Sequence, residues 1–173
     1  MDKLFLFTDG SVDPKSKIGY GAYLAIDESD LAIVSKRNLI KVKSFDDTSS
    51  SKLELQTLIW ALAEIQGASR KVVVYTDSQN IIGLSTRRVG LEQNDFYSAK
   101  NKRLSNHQLY REFYKLMDQL DCELIKVAGH LSSSQKDTID QLFTLVDRAS
   151  RKALKIRKMS MMPNFGKIIM WLS

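Results

Sequence analysis

Two apolar runs in this chain break the alternation expected of a half-solvated strand. Leu4 to Phe7 (LFLF) and Val72 to Tyr75 (VVVY) each place four large side chains in succession. That is the pattern of a strand buried on both faces. Both runs end alike, in Thr-Asp and then a small residue: Thr8, Asp9, Gly10 and Thr76, Asp77, Ser78. Strands are therefore expected near 3–8 and 71–77, with others near 18–26, where Gly19 and Gly21 stand, near 32–43 and near 123–128. Leu55, Leu58, Ile59, Leu62 and Ile65 recur at helical spacing and predict a helix over 50–66. Ser49 to Ser51 suit its start and Gly67 its end. A short helix is expected to begin near Ser78, followed by a polar, basic loop over 87–103. Helices near 106–120 and 136–157 complete an α/β order, read as a mixed sheet with helices packed on it.

A carboxylate at the end of a buried strand is costly unless something compensates it. If the two matching strands are parallel neighbours, Asp9 and Asp77 come out side by side. One such Asp alone is adequately explained as the cap of a following turn. Two on matching strands favour a site at the carboxyl ends of the sheet. Bare carboxylates held together repel, and a divalent cation with all-oxygen ligands relieves that repulsion. Glu54, in the first turns of the 50–66 helix and beside its apolar stripe, fits the same place. It equally suits the helix dipole.

Composition and charge add less. Of 173 residues, 43% are apolar and 27% charged, an ordinary balance for one globular domain. No apolar stretch is long enough to cross a membrane as a helix. The chain enters its first strand within three residues and shows no secretory pattern, and Cys122 has no second cysteine to pair with. A reducing cytoplasm is the expectation. The net charge of +6 is informative chiefly in its placement. From Arg148 to the end there is no Asp or Glu, and Arg148, Arg151, Lys152 and Lys155 share one helical face. That face is either simply solvated or a phosphate-binding surface.

Taken in order, FTDGS with GYGAYL following, SSSKLEL, YTDSQ, KVAGH and VDRASRKAL span residues 4–154. The set resembles the type 1 ribonuclease H family, both its cellular enzymes and the ribonuclease H domains of reverse transcriptases. The resemblance implies a five-stranded mixed sheet flanked by helices. It implies hydrolysis of the RNA strand of RNA–DNA hybrids, leaving 5′-phosphate and 3′-hydroxyl ends. By motif position, Asp9, Glu54, Asp77 and Asp147 would be catalytic and would hold two magnesium ions, with manganese as a substitute. His130 would be an auxiliary catalytic histidine. Gly10, Ser11 and Gln79 would contact nucleic acid, as would Ser50 and Ser51, which stand where many members carry Asn-Asn. Independently of the resemblance, the charge placement above makes Arg148, Lys152 and Lys155 candidates to meet phosphates.

Asp147 is preferred to Asp140 as the fourth acid because DRASRKA fits the family's run of small residues. Ala149, Ser150 and Ala153 would let the helix approach the sheet closely. The basic, Trp-rich handle of some bacterial members is not evident, since residues 87–103 carry Phe96 and Tyr97 instead. The domain is expected over 1–157, with a tail at 158–173, in a monomer. The alternative is a catalytically silent nucleic-acid-binding module on the same fold.

Overall fold

The computed structural model describes residues 3–31, 39–67, 70–128 and 137–161. Five strands and four α-helices follow in the order β1 (Leu4–Asp13), β2 (Ile18–Asp27), β3 (Lys41–Phe45), α1 (Ser50–Glu64), β4 (Val72–Thr76), α2 (Gln79–Gln93), α3 (His107–Gln119), β5 (Cys122–Lys126) and α4 (Thr138–Ser160). A 3-10 turn at Glu28–Asp30 follows β2. The sheet runs β3-β2-β1-β4-β5. β1 pairs antiparallel with β2 and parallel with β4, and β4 pairs parallel with β5. The five-stranded mixed sheet is thus the one expected.

β1 explains why LFLF does not alternate. Leu4 and Leu6 belong to the core beneath α1, α2 and α3, whereas Phe5 and Phe7 belong to the core beneath α4. Both faces are buried, so both parities must be apolar. Phe7 stacks on Tyr75 across the β1–β4 pair, with ring centres 5.0 Å apart.

Gly19 and Gly21 let α1 lie flush on β2. A Cβ at position 21 would stand 2.1 Å from Thr57 Oγ1, and one at 19 only 2.6 Å from Leu53. At position 21 no other residue type fits such an approach without displacing the helix. The close seating carries Glu54, the residue after Leu53, to the end of the sheet.

Two expectations need correction. The strand sought over 32–43 is β3, at Lys41–Phe45. Residues 32–38 lie outside the described residues. Lys41 to Ser44 are all exposed on this edge strand, so burial leaves no pattern in its sequence. Its place is set by pairing with β2, Gly19 opposite Phe45 and Tyr23 opposite Lys41. The loop expected to start at 87 begins only after Gln93, because α2 is a fifteen-residue helix. Arg87 holds it by donating to Gly83 O and Asn80 Oδ1, and Arg88 by pairing with Glu92 and with Asp118 of α3. Among the described residues no helix is long and apolar enough to cross a membrane.

Candidate active site

Asp9 keeps the parity of Phe5 and Phe7, so it faces α4. The parallel register sets Phe7 opposite Tyr75. Two residues further, the same offset brings Asp9 alongside Asp77. β4 ends at Thr76 while β1 continues to Asp13 against β2 alone, so both acids emerge where the sheet loses a strand. This is the carboxyl-end crevice in which open α/β sheets bind ligands.

The other acids arrive from opposite layers. Glu54 comes from α1 and accepts a hydrogen bond of 2.6 Å from Ser78 Oγ. Ser78 is also the N-cap of α2, accepting from Ile81 N, so one buried hydroxyl fixes a helix end and a carboxylate together. Asp147 comes from α4 and pairs with Arg151 at 2.6 Å, one turn on. Ser150, wholly buried, seats that helix: its hydroxyl lies 3.0 Å from Ser11 Oγ, 3.5 Å from Asp9 Oδ2 and donates to Asp147 O. The small residue foreseen for close approach is therefore also a polar link between β1 and α4.

The result is a hollow of about 230 Å³ lined by Asp9, Glu54, Asp77 and Asp147, with Gly10, Ser11, Asp140 and Arg151 around them. Burial pushes the Asp9 carboxyl up to about 8, and the nearby charges of Asp77 and Asp147 push the same way. Asp140 reaches the same hollow, but it is engaged elsewhere. As the third residue of α4 it completes a capping box with Asp137: Asp140 N donates to Asp137 Oδ1 at 2.9 Å, and Asp137 N returns to Asp140 Oδ2 at 3.4 Å.

Among the described residues no three His, Cys, Asp or Glu side chains are gathered closely enough to hold a metal ion as they stand. The donor set nevertheless suits a hard cation. It is all oxygen, and at Asp9 burial and like charges raise a carboxyl far above its ordinary range. The geometry is that of acids around a hollow, not of a closed ligand cage.

The remaining expected contacts are spread more widely. Ser50 and Ser51 are exposed at the start of α1. Ser49 is the N-cap there by position, without a side-chain bond. Gln79 opens α2, next to the N-cap Ser78, and accepts from Lys126 Nζ at 2.7 Å. Arg148, Lys152 and Lys155 lie exposed on α4. His130 lies outside the described residues. The sequence marks Ser78 as a helix start, but its bond to Glu54, 24 residues away, has no local signal.

The RNase H family model matches residues 1–148. The chain belongs to the RNase H family. Ribonuclease H of Syntrophomonas wolfei is 27% identical over 146 residues, covering 82% of this chain and 94% of that protein. Ribonuclease H of Zymomonas mobilis is 27% identical over 144 residues, covering 82% and 86% respectively. Among solved structures, the foamy viral protease-reverse transcriptase in complex with RNA/DNA hybrid matches 87% of this chain and 19% of that one, with TM-score 0.63 and 12% identity. Its complex with dsDNA matches 86% and 93%, with TM-score 0.61 and 12% identity. At that identity the likeness is one of fold. As an RNase H, the chain is an enzyme, an endoribonuclease that hydrolyses phosphodiesters, as its motifs implied.

Proposed function

We propose that the chain cleaves the RNA strand of RNA–DNA hybrids in the hollow between β1, β4, α1 and α4, leaving 5′-phosphate and 3′-hydroxyl ends. One observation carries this reading: acids from two parallel strands and from helices on both faces of the sheet converge on one hollow. Asp9, Glu54, Asp77 and Asp147 would hold two magnesium ions, or manganese in their place. Bound there, such ions supply Lewis-acid stabilisation of the phosphoryl oxygens and a more acidic water.

The chain's own side chains supply order. Ser78 restrains Glu54, and Ser150 ties Asp9 to the backbone of Asp147. Arg151 balances one of the clustered charges. Gly10 and Ser11 line the hollow, Ser50 and Ser51 open α1, the helix that carries Glu54, and Gln79 opens α2 after Ser78. These groups suit recognition of ribose 2′-hydroxyls and backbone rather than bases. His130 is assigned proton transfer, because an imidazole titrates near neutral pH. The reading extends the expected catalytic domain, 1–157, to the end of α4 at Ser160, with a tail after it, in a monomer working in a reducing cytoplasm.

The test is cleavage of end-labelled hybrid, double-stranded RNA and double-stranded DNA, with magnesium and with EDTA. Hybrid alone should be cut, in its RNA strand, and only with the metal. Undiminished cleavage in EDTA would sink the metal assignment, and preferential cutting of either homoduplex would sink the substrate.

A further inference from the structure

We propose that the outer face of α4 tracks the phosphates of nucleic acid beyond the active-site hollow and lengthens the footprint of a bound hybrid. The proposal rests on the hybrid-cleaving reading above. After Asp147, α4 carries Arg148, Arg151, Lys152, Lys155, Arg157 and Lys158 and no acid. Two of these are engaged within the chain: Arg151 with Asp147, and Lys158 with Asp13 at 3.4 Å. Arg148, Lys152 and Lys155 are exposed, and among the described residues none has an acidic partner within 4.0 Å.

Their spacing makes a track. Positions 148, 152 and 155 fall on one helical face and cover about 10 Å along the axis. With a phosphate every ~3.4 Å of axis on each strand, that length meets about three of them. The track is continuous with the site, because Arg151, which lines the hollow, is three residues after Arg148 and four before Lys155. Arg148 and Lys152, both exposed, also line a groove with Ile40, Leu145 and Ala149.

Three arginines of α2, α3 and the segment between them are instead held by acids of the fold. Arg88 is paired with Asp118 and Glu92, and Arg103 and Arg111 share Asp95. Those three charges are engaged within the fold, whereas Arg148, Lys152 and Lys155 of α4 are left for a polyanion.

The experiment measures binding of fluorescent hybrids of 8 and 24 base pairs in EDTA, over a salt series, with cleavage of the long hybrid in magnesium assayed beside it. The double substitution Lys152→Gln with Lys155→Gln should weaken binding of the long hybrid about tenfold at moderate salt. It should lower the slope of log affinity against log salt by about 2. Binding of the short hybrid should change less than twofold. Arg103→Gln with Arg111→Gln removes the same net charge and should leave the slope as it was. An unchanged slope in the α4 variant, an equal loss for both hybrids, or an equal loss in the control pair would each overturn the proposal. If the parent chain shows the α4-dependent slope but cuts no hybrid, the track stands and the substrate reading falls. If it cuts hybrid without that slope, the substrate reading stands and the track falls.

Discussion

Asp9 and Glu64 are both carboxyl side chains reaching out beside the first three strands, and their surroundings push them in opposite directions. Asp9 sits in an acid-lined hollow, where burial and its neighbours Asp77 and Asp147 raise it to about 8. Glu64, at the end of α1, receives hydrogen bonds from Lys41 of β3, Tyr23 of β2 and Trp60 of its own helix. Those donors lower it to about 2. The second arrangement is what a fold does with an acid it uses to join elements: three donors, one acceptor, helix and sheet edge held together. The first raises the energy of the folded chain once its acids ionise, a cost that a bound cation would relieve. On the proposed function, the contrast separates an acid kept for chemistry from one kept for structure.

The largest effect that could break this contrast is on cleavage. Asp9→Asn and Asp77→Asn should each lower the rate on the order of 10³-fold, while the melting temperature in EDTA stays level or rises. Wild-type turnover in either variant would place the chemistry elsewhere. The pH dependence sharpens the same point. A carboxyl held above its ordinary 3.8 binds protons more tightly in the folded chain than in the unfolded one. Stability of the metal-free protein should therefore fall as pH rises from about 4 through about 8, and Asp9→Asn should flatten that decline. Thermal unfolding in EDTA across that range measures it.

A smaller effect separates the two acids of α4 that reach the hollow. Asp147→Asn should impair cleavage roughly a hundredfold. Asp140→Asn should leave most of the rate, since Asp140 serves the capping box. Steady-state kinetics that reversed this order would move the site toward the start of α4.

The smallest effect belongs to Glu64. Glu64→Gln should leave cleavage unchanged and cost below about 1 kcal/mol at neutral pH, because the cluster is partly solvated. A carboxyl lowered from 4.5 to about 2 stabilises the fold above the higher value and loses that contribution as pH falls toward the lower. The variant and the parent should thus converge in stability below about pH 2, as unfolding by urea at several pH values would show. A persistent gap there would mean that Glu64 matters through packing rather than charge.

Much of the site was legible because its strands are unusual. LFLFTDG and VVVYTDS announce two-face burial and then a carboxylate, and the β1–β4 register turns that repetition into adjacency. The apolar stripe of α1 was equally plain, with Leu55, Leu58 and Leu62 all buried. The far half of α2 was not, since only Ile81 and Leu84 of that helix are buried. Its last turns depend on arginine bonds, one of them to Asp118, thirty residues away. β3 was displaced for a related reason: an exposed edge strand has no burial pattern, and only its partner sets its position.

By itself, then, the sequence determined the buried strands, the acids at their ends, the helix periodicities and the family. These are properties of neighbours along the chain, where side-chain periodicity and capping act over a few residues. Tertiary structure decided how α4 is tied to β1, through a buried Ser150 that lies 141 residues from Asp9 in sequence. It also decided which arginines are neutralised and which of the described cations on α4 remain without acidic partners. Those outcomes depend on how helices seat against the sheet, and local pattern carries no information about a contact made only by packing.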